Sequence, residues 1–160
     1  MLERQKESLL RTKLAKSLLV LLALSMVAAA CSKKTSPPSG GSSQSGPSTI
    51  TIGSDTATNK GTEDVSGKST SAVKLDNDGA KFYFEPTVLR GTPGQQVTLS
   101  LTNAGDTLHN FSLPDQSVDR DVEKGKSGTV QVTLPQSGFV EFFCKYHRSQ
   151  GMAGELTVGS

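Results

Sequence analysis

Two short stretches, QVTLSLTN at 96–103 and TVQVTLP at 129–135, alternate apolar and polar residues without a break. A period of two places Val97, Leu99 and Leu101 on one face of a strand, with Thr98, Ser100 and Thr102 on the other. Val130, Val132 and Leu134 repeat the pattern against Thr129, Gln131 and Thr133. KFYFEP, TLHNFSLP, GFVEFFC and GELTV are further short β-rich runs. Turn-forming groups separate them: Asn77-Asp78-Gly79, Gly91-Thr92-Pro93-Gly94, Ala104-Gly105-Asp106 and Gln136-Ser137-Gly138. Short strands between such turns predict an all-β sandwich or barrel of about seven or eight strands over residues 73–160.

The N-terminus is of another kind. Arg4, Lys6, Arg11, Lys13 and Lys16 precede the uncharged run SLLVLLALSMVAAA, which ends at Cys31. From Leu18 to Ala30 a helix runs about 20 Å, short of a hydrocarbon core of roughly 30 Å. A secretory signal over 1–30 is the expectation. VAAAC resembles the lipobox of bacterial lipoproteins, which implies lipidation of Cys31, although Ala28 stands where that motif favours Leu. An ordinary signal peptide with an incidental thiol is the alternative. Residues 31–72 are rich in Ser, Gly, Thr and Pro, which predicts a flexible linker with an r.m.s. reach of roughly 35 Å. The net charge of +2 comes from these two segments. Without a basic helix, a basic–aromatic platform or a phosphate-cradling loop, nucleic acid is not an expected partner.

FFCKYHRSQGM, at 142–152, gathers a thiol, an imidazole and a thioether within nine residues. By alternation Cys144 shares the inward face of its strand with Val140 and Phe142, and His109 shares one with Phe111 and Leu113. His147 and Met152 follow Cys144 on a loop able to curl back, with His109 closing the site from another strand. The whole chain has two His, so an enzyme needing several copper atoms lacks the imidazoles for them. One thiolate, two imidazoles and a weak thioether form the donor set of a blue-copper electron-transfer centre.

The spacing C-x2-H-x4-M, with HNF upstream and GMAGELTV closing the run, resembles the plastocyanin–azurin group of cupredoxins. That resemblance covers about 74–158 and implies a Greek-key β-sandwich. It also implies that His109, Cys144 and His147 are strong ligands of one copper ion, with Met152 axial. Asn110 matches the Asn that in this family braces the thiolate loop. The resemblance further implies a monomeric carrier that exchanges single electrons with redox proteins of a respiratory or photosynthetic chain. With Cys31 lipidated, it would work outside the cytoplasm, anchored to the cell membrane. Lys145, Tyr146 and Arg148 depart from the family's apolar rim, and the two cations are expected to set positive charge beside an exposed His147.

Four other readings bear on these residues. A Cys31–Cys144 disulfide would place a lipidated, linker-borne thiol at the core. A Cys144–His147 nucleophile pair lacks a helix N-terminus to activate it. Zinc would take Cys and two His but leaves Met152 without a role. Copper delivery or storage without redox traffic stays open as a second function.

Overall fold

The computed structural model describes residues 48–159. The expected signal at 1–30, the lipidated Cys31 and the linker as far as residue 47 lie outside the described residues. Among the described residues, twelve strands run in chain order: β1 Thr49–Ile52, β2 Asp55–Thr58, β3 Thr62–Asp64, β4 Thr70–Asp78, β5 Lys81–Glu85, β6 Val88–Gly91, β7 Gln96–Asn103, β8 His109–Leu113, β9 Val118–Val122, β10 Ser127–Thr133, β11 Phe139–Phe143 and β12 Ala153–Val158. They form a four-stranded sheet ordered β10-β7-β4-β5, a six-stranded sheet ordered β3-β6-β12-β11-β8-β9, and a separate β1–β2 hairpin. A β-sandwich is thus what forms, with more strands than the seven or eight expected. Short strands at Val88–Gly91 and Val118–Val122 carry too little alternation to stand out in the sequence.

The linker expectation fails over 49–72. β1, β2, β3 and the start of β4 occupy this stretch, and Ile52, Ala57 and Val65 are fully buried in it. Averaged composition hid them, because a few apolar side chains at the right positions suffice to seat Thr-rich strands. Val65 joins the main core. Ile52 and Ala57 form a second cluster with Ala153, against which Phe143 packs. The hairpin therefore lies against β11 and β12.

The main core comes from the alternation that the sequence displays. Val97, Leu99 and Leu101 are buried from the four-stranded sheet, facing Phe111, Phe142 and Leu156 of the other. Phe84 of β5 meets Phe111 and Phe142 edge-on, with ring centroids 5.9 and 5.1 Å apart, and so joins the two sheets. Burying side chains of this size stabilises by about 1.5–3 kcal/mol each relative to exposure. β8 and β11 are antiparallel neighbours, so the first residue of β8 and the last of β11 fall at the same end of the sheet. His109 and Cys144 meet there.

Candidate metal centre

The chain leaves β11 at Phe143 and returns at Ala153, and the segment between is closed by its own backbone. The Cys144 N–H donates to the Met152 carbonyl at 3.0 Å, and the His147 N–H to the Cys144 carbonyl at 3.0 Å. The Met152 N–H reaches the His147 carbonyl at 3.2 Å. A 3-10 turn at Arg148–Gln150 ends at Gly151, whose φ of 91° is a region that L side chains rarely adopt. This folding brings the donors together: one ligand atom each from His109, Cys144 and His147 lies within 4.8 Å of the others. Cys144 Sγ is 3.4 Å from His147 Nδ1. Met152 is fully buried and belongs to the same apolar cluster as Cys144.

His109 is fully buried, and neither of its ring nitrogens has a hydrogen-bond partner. Buried polar atoms of native proteins nearly always have one, so such an orphan needs a reason. A metal ion held together with Cys144 and His147 would supply it for one of the two nitrogens. Burial, reinforced by the neighbouring His147, pushes the His109 pKa down to about 4, and burial also lowers that of His147. Both rings are therefore neutral near pH 7, as ligation requires. Burial raises the Cys144 thiol, opposed by backbone N–H groups of Tyr146, Asn110 and His147 directed at the sulfur. Those dipoles suit a thiolate once a cation is present to displace the proton.

Asn110 is buried, but its role is broader than the expected brace. Its side-chain oxygen accepts from the Lys145 N–H at 3.5 Å, a long contact, and from Ser112 Oγ. Its amide nitrogen donates to Asp119 and Asp121 at 2.6 and 2.7 Å. The expected positive rim is absent. Lys145 Nζ sits 2.8 Å from Asp119 and 3.0 Å from Asp121. Arg148 reaches Asp55 at 2.6 Å and Glu141 at 3.1 Å. Each cation is held between two carboxylates that lie far from it in sequence or on another strand, and no local motif announces such pairs.

Two other residues shape the site. Phe82 of β5 stacks on His147, with centroids 4.0 Å apart and planes within 4°, and meets His109 edge-on at 5.9 Å. Gly105 lies over His109, where an added Cβ would fall 2.6 Å from Nε2. Asn103 fixes that turn by accepting from the Gly105 N–H and donating to the Thr107 carbonyl. Phe82 is one of several aromatics in its run, and Gly105 sits in an ordinary turn signal, so neither stood out.

A buried Cys between two neutral imidazoles, at one end of a β-sandwich, defines a mononuclear soft-metal centre of the type that suits copper. The chain belongs to the cupredoxin-like domain family, whose match runs over residues 19–158. It is 31% identical over 96 residues to plastocyanin A/B of Petroselinum crispum, covering 54% of this chain and 97% of that one. Plastocyanin of Daucus carota matches with the same identity and coverage. Among solved structures, reduced auracyanin from Roseiflexus castenholzii aligns with a TM-score of 0.45 at 18% identity, over 58% of this chain and 98% of that one. Copper is the cofactor that fits the site.

Proposed function

We propose that this chain is a single-copper electron carrier, in which His109, Cys144 and His147 would be the strong ligands and the Met152 thioether a weak one. The observation that carries the reading is the fully buried His109, both nitrogens unpartnered, beside the Cys144 thiol and His147. When bound, copper supplies a Cu(II)/Cu(I) couple that accepts and returns one electron. Cys144 gives up its proton on binding, and the surrounding backbone N–H groups hold the resulting thiolate. Leu108, 38% exposed, and Tyr146, 44% exposed, each precede a proposed ligand. Tyr146, its ring centroid 6.4 Å from that of His147, offers an approach to that imidazole, the less buried of the two.

The plastocyanin relatives support electron transfer over copper delivery, as does a single enclosed thiol rather than an exposed Met-rich surface. A carrier rather than an enzyme is the reading that two histidines favour. Its partners are redox proteins of a respiratory or photosynthetic chain. We place it outside the cytoplasm as a monomer, anchored to the membrane through a lipid on Cys31, on the strength of the VAAAC sequence. The mass of the mature N-terminus tests the anchor, and an unmodified Cys31 rules it out.

Adding Cu(II) to the purified protein should give an intense blue colour that ascorbate bleaches and an oxidant restores. Cys144→Ser should abolish the colour, and Met152→Leu should keep it, because the thiolate and both imidazoles remain. Copper uptake without a redox-reversible colour would favour storage or delivery.

A further inference from the structure

Arg148 follows His147 directly, and its side chain leaves the metal loop to cross onto a part of the chain 93 residues away. Its Nε donates to Asp55 Oδ2 at 2.6 Å, and its Nη2 to both oxygens of Glu141 at 3.2 and 3.1 Å. The guanidinium carbon lies 4.1 Å above the Phe143 ring. The far end of the same 3-10 turn is also held by the hairpin. The Thr58 N–H donates to the Gly151 carbonyl at 2.9 Å, and a Cβ on Gly151 would lie 3.0 Å from Thr58 Oγ1. Ile52 and Ala57 seat the hairpin in an apolar cluster with Ala153, beside Phe143. Both ends of the turn that carries the chain away from His147 are thus fastened to β2, while the His147 ring itself stacks on Phe82.

We propose that the β1–β2 hairpin is a positioning element of the metal centre, acting through Asp55 and Arg148 to hold His147 in one place during oxidation and reduction. The proposal rests on the electron-transfer reading above. A ligand on a loop moves when the metal changes its preferred geometry, unless outer contacts lock it. Movement of that kind slows each electron exchange, because the loop must rearrange before the electron passes. Arg148 is accordingly a positioning residue, and Asp55 and Glu141 are its anchors. The hairpin's apolar residues Ile52 and Ala57 pack in a cluster distinct from that of the main core.

The test uses the full chain loaded with copper, in the variants Asp55→Asn, Glu141→Gln and Arg148→Gln. Electron self-exchange, the copper EPR and visible spectra, and the reduction potential are measured for each. If the clamp positions His147, all three variants slow self-exchange, by about tenfold for Arg148→Gln, and shift the spectra in the same direction whatever the charge removed. Asp55→Glu, which restores the carboxylate, should recover most of the rate. A purely electrostatic role predicts otherwise: losing the cation lowers the potential, losing a carboxylate raises it, and self-exchange moves in opposite directions in the two cases and converges on the parent at high salt. That outcome overturns the proposal, as does a lower melting temperature with parental spectra and exchange rate. Should Arg148→Gln fail to fold, Asp55→Asn decides, since it leaves the Arg148–Glu141 pair in place. A parent that never turns blue overturns the electron-transfer reading and the positioning role together. A blue parent whose variants exchange as fast as it does removes the positioning role alone.

Discussion

The loop from Cys144 to Met152 is fastened on both flanks by a cation held between two carboxylates, yet the flanks differ in depth. On one, Lys145 meets Asp119 and Asp121 of β9, whose side chains are 61% and 45% exposed. Tyr146 adds a hydrogen bond to Asp121 at 2.9 Å. On the other, Arg148 meets Asp55 and Glu141, only 23% and 19% exposed, and its guanidinium carbon lies 4.1 Å from the centre of the Phe143 ring. The same chemistry in wetter and drier surroundings does different work. Water competes for the Lys145 pairs and screens them. The Arg148 carboxylates have surrendered much of their hydration and depend on the guanidinium for compensation. A bidentate, planar cation suits the drier flank, where lysine would satisfy fewer acceptors.

Removing each cation tests this contrast most strongly. Arg148→Gln strands Asp55 and Glu141 and should destabilise by about 1–2 kcal/mol, a figure kept low because the Arg148 side chain is itself 40% exposed. Thermal unfolding should then come several degrees lower. Lys145→Gln leaves Asp119 and Asp121 open to water, and its melting temperature should stay close to the parent's. Equal losses on the two flanks would show that depth does not separate them.

Acid should set Glu141 apart from the other three carboxylates, because Asp55, bonded to Glu141 and Arg148, is held below its ordinary value as Asp119 and Asp121 are. Lys145 and Asn110 hold Asp119 and Asp121 below the usual carboxylate range. Their contribution is therefore present above their ordinary value of 3.8 and is lost as pH falls through the lowered one. Glu141 behaves in reverse. Burial and the hydrogen bond with Asp55 push it from 4.5 up to about 7, against the pull of Arg148. Between those values the fold holds a proton that the unfolded chain has released, so stability falls as pH climbs from 4.5 toward 7. Melting of the copper-free protein across this range, with Glu141→Gln beside the parent, isolates the effect. The parent should lose ground to the variant up to about pH 7 and hold level above it. Two parallel curves would mean that Glu141 titrates normally.

The sequence carried the parts of this design that local patterning can print. Val97, Leu99 and Leu101 alternate because one face of β7 is buried, and that pattern alone places the sandwich. His109 and Cys144 reveal themselves by parity, and the loop donors by being rare residue types set close together. What escaped depends on residues distant in the chain. Asp55 gains its role from an arginine 93 positions on, and no window of sequence contains both. β1 to β3 bury few side chains, so their Thr- and Ser-rich composition reads as linker. β9, written VDRDV, keeps its three charged residues exposed and shows little of the core it edges. Charge counting found Lys145 and Arg148 but not their partners, which is why a positive rim was expected where each cation is already paired.

Salt gives the smallest and most selective separation of the flanks. The Debye length shrinks from about 10 Å at 0.1 M to about 3 Å at 1 M ionic strength, and exposed pairs feel this far more than sheltered ones. Whatever small melting difference Lys145→Gln shows at low salt should therefore vanish as NaCl rises toward about 1 M. The deficit of Arg148→Gln should largely persist. Part of it comes from the lost contact with Phe143 and part from two carboxylates short of donors, and dissolved ions replace neither. Paired melts of both variants and the parent along a salt series provide the measurement. Should the Arg148→Gln deficit fade with the same salt dependence as that of Lys145→Gln, the drier flank is no more than a second surface ion pair. The hairpin would then hold the loop through Thr58 and Gly151 alone.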